Sequence, residues 1–344
     1  MSAGRSIWQK VGHLAWPVLA LALMLAYNAV KSPGFFHVEM KEGRLFGSLI
    51  DVLDRAAPVL LLSLGMTLVI ATGGVDLSVG AVMAIAGAVA AQLVATGHSV
   101  WLALLAALVA ALACGLVNGI LVAALNIQPI VATLILMVAG RGVAQLISDG
   151  QMIPFSDPVL LYLGGGYLFA MPFAVLMAVA AFLLTHLFVR VTALGLFIEA
   201  VGGNPTASRF AGLPSGVVKC SAYIFCGLCA GVAGLITTSD IHAADPGKSG
   251  LYLELDAILA VVIGGTALTG GRFSLAGSLL GAILMQALTT TIITRGVQIE
   301  YALIVKALVI LAVCLLQSPR VRGALSFRRK TPPVASSTRA STTA

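Results

Sequence analysis

The residues of this sequence best suited to chemistry lie between two long apolar runs, in the segment ATGGVDLSVG at 71–80. The segment holds a carboxylate, Asp76, and a hydroxyl, Ser78. Its glycines, which ease a change of chain direction, are Gly73, Gly74 and Gly80. Irregular backbone at membrane depth persists only where it is buried in protein or lines a cavity, and an unpaired carboxylate there is costly. The segment therefore indicates either a functional break between two spans or an interfacial turn in which Asp76 or Ser78 caps the next helix.

Polar side chains also recur at helical spacing within three other apolar runs. Residues four apart lie on one helical face, so each polar series forms a stripe. The residues concerned are Thr133, Arg141, Gln145, Gln286, Thr290, Thr294 and Lys306. Neutral hydrogen-bonding groups with two cations in one outer layer suit a pathway for a hydroxylated, uncharged or weakly anionic solute. The alternative is that the two cations extend to the outer interface and the threonines bond backbone carbonyls.

A third candidate is the connection over 191–216. Asn204 followed by Pro205 predicts a helix N-cap and first helical residue, and Gly212 predicts the end of that helix. A helix of two turns that carries Arg209 has no core of its own to bury. The connection is either a docking element for a cytosolic partner or a surface loop that turns the chain.

Enzyme signatures are absent from the sequence. Gly247-Lys248-Ser249 looks like the end of a phosphate-binding loop, but His242 stands where the first glycine is required. No HExxH, GxSxG or paired carboxylate falls within an apolar run. The five cysteines all lie in apolar runs, which favours packing over a disulfide framework or a metal site. We therefore predict a chain that makes no chemical bond and holds no metal or cofactor.

The elements that must position these residues are membrane helices. Of 344 residues, 59% are hydrophobic and 10% are charged, and the mean hydropathy is +1.04. That composition predicts an all-α polytopic membrane protein, with a transmembrane domain over 14–317, a cytoplasmic N-terminus over 1–13 and a basic, disordered cytoplasmic tail over 318–344. At about 20 residues per crossing, the ten predicted spans are 14–31, 56–72, 78–96, 100–124, 129–147, 170–190, 217–238, 255–270, 274–295 and 300–317.

The larger share of the 20 Lys and Arg residues falls on the side that holds both termini, which predicts cytoplasmic termini and an even number of spans. This orientation places the loop 191–216 in the cytoplasm and the segment 71–80 at the inner ends of the second and third spans. Glycines four apart within the runs predict close helix contacts at Gly115–Gly119, Gly227–Gly231 and Gly277–Gly281.

Three segments, in chain order, carry a family resemblance. They are GMTLVIATGGVDLSVG at 65–80, EAVGGNPTASRFAGL at 199–213 and ELDAILAVVIGGTALTGGRFSLAGSLLGA at 254–282. They resemble signatures of the permease subunits of bacterial ABC sugar importers of the ribose, xylose and galactose type. RLFGSLIDVLDRAAP and LELDAILAVVIGG further resemble the first permease of galactofuranose importers. The pattern departs at Val75 and Thr266, which are conservative or small changes, and in a longer Ser/Thr/Arg tail.

The resemblance implies roles for the matched positions. Positions that would dock on an ATPase subunit are Glu199, Gly203, Asn204, Ala207, Arg209 and Gly212. Positions near the translocation path, with a gating role, are Gly73, Gly74, Asp76, Ser78, Gly80, Gly264, Gly265, Gly270 and Gly271.

The resemblance also implies an assembly in the bacterial inner membrane. A cytosolic ABC ATPase would bind Mg-ATP, a periplasmic sugar-binding protein would deliver the substrate, and a second permease, either another copy or a related chain, would complete the pathway. The implied substrate is a monosaccharide, galactofuranose or a related sugar. No nucleic-acid partner is expected, because the basic residues follow the membrane topology. The alternative is a secondary sugar or polyol carrier, which needs an ion or proton site that the nearly acid-free spans do not supply.

Overall fold

The computed structural model describes residues 15–31, 34–296, 301, 303–308 and 311. The predicted segments 1–13 and 318–344, and most of the predicted span 300–317, lie outside these residues. The chain divides into two units, Met1–Val297 and Gln298–Ala344. The described residues of the second unit, Lys306 among them, are helical. All that follows concerns the first unit.

Helices form almost all of the regular structure in the described part of this unit. They are α1 (Ala15–Lys31), α2 (Ser48–Ala71), α3 (Val79–Ala95), α4 (Val100–Gly119, continued by a π-helical turn at Ile120–Ala124), α5 (Pro129–Ile147), α6 (Pro158–Gly165), α7 (Phe173–Val191), α8 (Leu194–Gly203), α9 (Pro205–Phe210), α10 (Ser215–Asp240), α11 (Leu253–Ile263) and α12 (Leu275–Thr294). The short strands are β1 (Glu39–Lys41), β2 (Arg44–Phe46), β3 (Ile153–Pro154), β4 (Tyr167–Leu168), β5 (Met171–Pro172) and β6 (Ala243–Ala244), paired β1–β2, β3–β6 and β4–β5.

Six of these helices are long and apolar enough to cross a membrane: α2, α4 with its π-turn, α5, α7, α10 and α12. The helices α1, α3 and α8 are apolar but shorter. The predicted spans 14–31, 78–96, 129–147 and 274–295 agree with α1, α3, α5 and α12 to within one residue at each end. The total of ten spans and the cytoplasmic position of both termini stay predictions.

Two predicted span boundaries were wrong, and one helix was missed. The helix α2 begins at Ser48 rather than at 56, so it includes Asp51 and Asp54. The predicted span 255–270 is the helix α11 of only 11 residues, which ends where Gly265 takes a φ of +90°. At 1.5 Å per residue, such a helix is about 16 Å long and does not cross a hydrocarbon core of about 30 Å. The helix α8 was not predicted at all.

The helices α2 and α10 form the centre of the bundle, and glycines let their neighbours approach closely. A Cβ on Gly115 of α4 would lie 2.6 Å from the carbonyl oxygen of Tyr223, and one on Gly227 of α10 would lie 2.6 Å from that of Ala111. A Cβ on Gly281 would strike the carbonyl of Ala260 in the same way. The predicted glycine-mediated contacts are therefore confirmed, and they hold α4 against α10 and α11 against α12.

The exposed hairpin β1–β2 lies outside the spans. Lys41 forms an ion pair with Glu39 and lowers the pKa of that carboxyl by a hydrogen bond and by charge attraction. Arg44 lies over the ring of Tyr167, 4.9 Å from its centroid, which joins this hairpin to β4–β5.

Candidate functional site

The segment between α2 and α3 lies beside the middle of α10. The hydroxyl of Tyr223 donates to the carbonyl oxygen of Val75 at 3.3 Å, and Cys226, three residues further along α10, packs against Gly65 of α2. Cys226 is the twelfth of the 26 residues of α10. The segment therefore lies beside the middle of this helix, at the end of α2 and the start of α3, and its position at the inner ends of the spans stays a prediction.

Asp76 is the centre of a buried hydrogen-bond network. Only 1% of Asp76 is exposed, and its Oδ1 accepts from the backbone N of Ser78 at 2.9 Å and from the Ser78 hydroxyl at 2.7 Å. The Nδ2 of Asn118, on α4, donates to the same oxygen at 3.3 Å and to Ser78 Oγ at 2.8 Å. Asp76 thus holds Ser78 in an Asx turn, and the Ser78 side chain does not cap α3.

Thr133 belongs to this same network rather than to an outer layer. Its side chain is fully buried, and its hydroxyl donates to the carbonyl oxygen of Pro129 at 2.9 Å. The carbonyl oxygen of Val75 lies 3.4 Å from the same hydroxyl. Side chains from α4, α5 and α10 consequently meet at the break.

At its start, near Ala71, the segment 71–80 contacts the other two segments of the family resemblance, 199–213 and 254–282. These contacts involve backbone atoms alone. The backbone N of Gly271 donates to the carbonyl oxygen of Ala71 at 2.9 Å. A Cβ on Gly202 would strike that same oxygen, and a Cβ on Gly270 would lie 2.8 Å from the carbonyl oxygen of Gly202. We call Ala71, Gly73, Gly202, Gly270 and Gly271 the glycine joint. Gly73, Gly270 and Gly271 have φ of +82°, +86° and +95°, a region in which side chains other than glycine are strained.

Two further signature glycines allow close packing. A Cβ on Gly80 would lie 2.8 Å from the Glu254 carboxylate, and one on Gly264 would strike the backbone of Gly277. These two glycines thus allow close contacts between segments that are distant in the chain.

The helix signals in 191–216 are confirmed. Asn204 Oδ1 accepts from the backbone N of Ala207 at 2.9 Å, Pro205 is the first residue of α9, and Gly212, with a φ of +82°, ends the turn. Glu199 is half-buried on α8, whereas the other predicted docking positions, Gly203, Asn204, Ala207, Arg209 and Gly212, are exposed. Phe210, which sequence reasoning missed, is 90% exposed at the tip of this element.

A cavity of about 440 Å³ lies at the end of α10 farthest from α9, among α2, α6, α10, α11 and α12. It brings together the predicted α12 stripe with acids that were not predicted. We call it the distal cavity and define it by Asp51, Asp54, Asp240, Gln286, Thr290 and Thr294. Gln286 Nε2 donates to Thr290 Oγ1 at 3.2 Å. The acids were missed because the span had been started too late, at residue 56.

The α5 stripe does not line this cavity. Arg141 Nη1 donates to the carbonyl oxygens of Ser249 at 2.6 Å and Pro246 at 3.2 Å, so it braces the loop between β6 and α11. Gln145 is exposed on α5. The predicted single polar layer is therefore divided among the break, this loop and the distal cavity. Lys306 lies in the second unit.

Comparison with known proteins gives one family and several named relatives. Residues 48–314 match the family described as branched-chain amino acid transport system / permease component. The galactofuranose transporter permease protein YtfT of Escherichia coli K12 is 53% identical over 89% of this chain and 91% of its own. The fructose import permease protein FruF of Bifidobacterium longum is 41% identical over 92% and 91%, and the ribose import permease protein RbsC of Escherichia coli K12 is 36% identical over 88% and 93%. No solved structure matches the chain.

Proposed function

Since this chain belongs to the branched-chain amino acid transport system / permease component family, among ABC permeases for sugar import, we propose that it conducts galactofuranose or a closely related monosaccharide. The observation that carries the proposal is the 53% identity, over most of both chains, with a relative named for galactofuranose transport. The chain is a transport component rather than an enzyme. Its pathway is passive, so the energy must come from another subunit.

The energy source that we propose is a cytosolic ATPase that binds Mg-ATP and docks on α9. The helix α8 ends at Gly203 and leads directly into α9, and its residue Gly202 contacts the glycine joint. Movement of α9 would therefore reach the ends of α2 and the loop after α11 without passing through flexible side chains. A second permease, either another copy or a related chain, a periplasmic sugar-binding protein and the bacterial inner membrane complete the proposed assembly.

The distal cavity is our proposed entry site for the sugar. Carboxylates accept hydrogen bonds from sugar hydroxyls, and the Gln286 amide can both donate and accept. A net hydrogen bond is worth about 0.5–1.5 kcal/mol to a neutral group and about 1.5–3 kcal/mol to a charged one, so a few such contacts would hold a monosaccharide and still allow its release. A cavity of about 440 Å³ has room for one sugar ring.

Transport in reconstituted vesicles tests this function. The permease pair and its ATPase are placed in vesicles loaded with ATP, and the binding protein with labelled galactofuranose is added outside. We expect uptake only when both ATP and the binding protein are present, with ribose and fructose as weaker competitors. Uptake driven by a pH gradient without ATP would show a secondary carrier instead.

In the same vesicles, Gln286→Ala should lower uptake at limiting sugar by about fivefold, because one hydrogen-bonding group of roughly 1 kcal/mol is lost from the distal cavity. Gln145→Ala is the matched control, since Gln145 is exposed on α5 and does not line the cavity. Equal uptake by the Gln286→Ala variant and the wild type, or a greater loss in the control, would remove the distal cavity from the pathway.

A further inference from the structure

A second polar cavity, of about 360 Å³, lies beside α9. Its walls come from the π-turn that ends α4, from α9 and from the first turns of α10. We call it the basic cavity and define it by Val122, Asn126, Arg209, Ser215 and Lys219. None of the described residues that line it is acidic, and neither cation has an ion-pair partner among the residues that the structure describes.

Two cations that face one cavity repel each other. Arg209 projects from α9, and Lys219 is half-buried at the fifth position of α10. Charges interact more strongly near a protein surface than in bulk water because the effective dielectric constant is lower, so an anion between the two cations would replace repulsion by attraction. No side chain caps the N-terminus of α10, whose partial positive charge adds to that of the cations.

The surroundings of the basic cavity indicate which anion it takes. It lies where α4 and α10, both long enough to span a membrane, reach the same end of the bundle. That is the level at which lipid headgroups lie, and basic pockets between helices at the cytoplasmic surface suit anionic headgroups. Within two residues of the lining residues in sequence, Ile120, Leu125 and Val217 expose apolar side chains along which an acyl chain can pack.

We propose that the basic cavity binds the headgroup phosphate of an anionic phospholipid from the cytoplasmic leaflet. Arg209 contributes its planar donor groups, and Lys219 contributes a compact charge, a combination suited to phosphate oxygens. The bound lipid ties α9 to α4 and α10 and thereby holds the coupling element at the membrane surface. The inference rests on the proposed function only for the cytoplasmic position of α9.

Lipid binding to the detergent-purified permease tests the proposal. The permease in detergent is titrated with short-chain phosphatidylglycerol, and bound lipid is counted by native mass spectrometry. We expect Lys219→Gln to weaken lipid binding about fivefold, because that is roughly what the loss of one basic residue near an anionic surface does to the affinity. Lys219→Arg should restore it. Lys31→Gln is the matched control, because Lys31 is exposed at the end of α1 and does not line the cavity.

Phosphatidylcholine tests whether binding requires an anionic headgroup, and inorganic phosphate tests whether a free phosphate ion can replace the lipid. Phosphatidylcholine should bind at least about fivefold more weakly than phosphatidylglycerol, and inorganic phosphate at the same concentration should not displace the lipid. Equal binding of the two lipids, equal binding by wild type and Lys219→Gln, or displacement by inorganic phosphate would each overturn the proposal. Because no step measures sugar uptake, a failure of the proposed transport function would leave this result unchanged.

Discussion

Gly202→Ala should reduce sugar uptake by about tenfold or more, since overpacking of this kind costs roughly 1–3 kcal/mol. A Cβ at this position would strike the carbonyl oxygen of Ala71, to which Gly271 also donates. Backbone atoms cannot rotate aside as a side chain can, so α8 must shift away from the end of α2. The shift would separate the coupling element from the glycine joint, and ATP hydrolysis should continue with little transport.

The measurement compares uptake with ATP hydrolysis in the same vesicles. Gly142→Ala serves as the control, because a Cβ on this glycine of α5 meets nothing within 4 Å. Gly203→Ala tests the opposite, exposed side of α8. A Cβ on Gly203 meets nothing within 4 Å in this chain, so a loss of uptake in this variant would indicate a contact with the ATPase. Normal coupled uptake by Gly202→Ala would contradict the role of the glycine joint.

Asp76→Ala should destabilise the permease far more than Asp76→Asn. Alanine removes the acceptor of the Ser78 backbone N–H and hydroxyl and of one Asn118 bond. Leaving a buried donor unsatisfied costs about 1–3 kcal/mol each, so the alanine variant should unfold at a clearly lower temperature and lose most of its uptake. Asparagine retains an oxygen at the Oδ1 position and should remain near wild type.

Thermal unfolding of the detergent-purified permease and uptake in vesicles together check this expectation. Ser274→Ala is a useful comparison, because it removes the side-chain cap of α12, where Ser274 Oγ accepts from Gly277 N at 3.1 Å, without touching the break. A typical cap contributes about 1 kcal/mol, less than the loss expected at Asp76. If Asp76→Asn proved as damaging as Asp76→Ala, the negative charge itself would be required.

The positions of most helices could be predicted because hydrocarbon demands long apolar runs, and such runs are local features. Asn204-Pro205 at the start of α9 is also a local signal, and that prediction agrees with the structure. The start of α2 was missed because Asp51 and Asp54 lower the local hydropathy, although both lie on the helix and line the distal cavity.

The candidate site was only partly predictable. The sequence identified Asp76, Ser78 and the glycines as unusual, but Asn118, Tyr223 and Cys226 looked like ordinary members of apolar helices. Asn118, the single amide between two glycines spaced for helix contact at Gly115 and Gly119, was the one available signal.

The sequence by itself determined the membrane class, the main apolar helices, the α9 cap and the positions that need glycine, because each follows from residue type and short-range spacing. Only the tertiary structure decided the partners of Asp76, the contact of Gly202 with Ala71 and the separation of Arg141 from Gln286. The physical reason is that partnership depends on which helices pack together. A polar residue in an apolar run must find a partner, but its own neighbours in the chain do not say which helix supplies it.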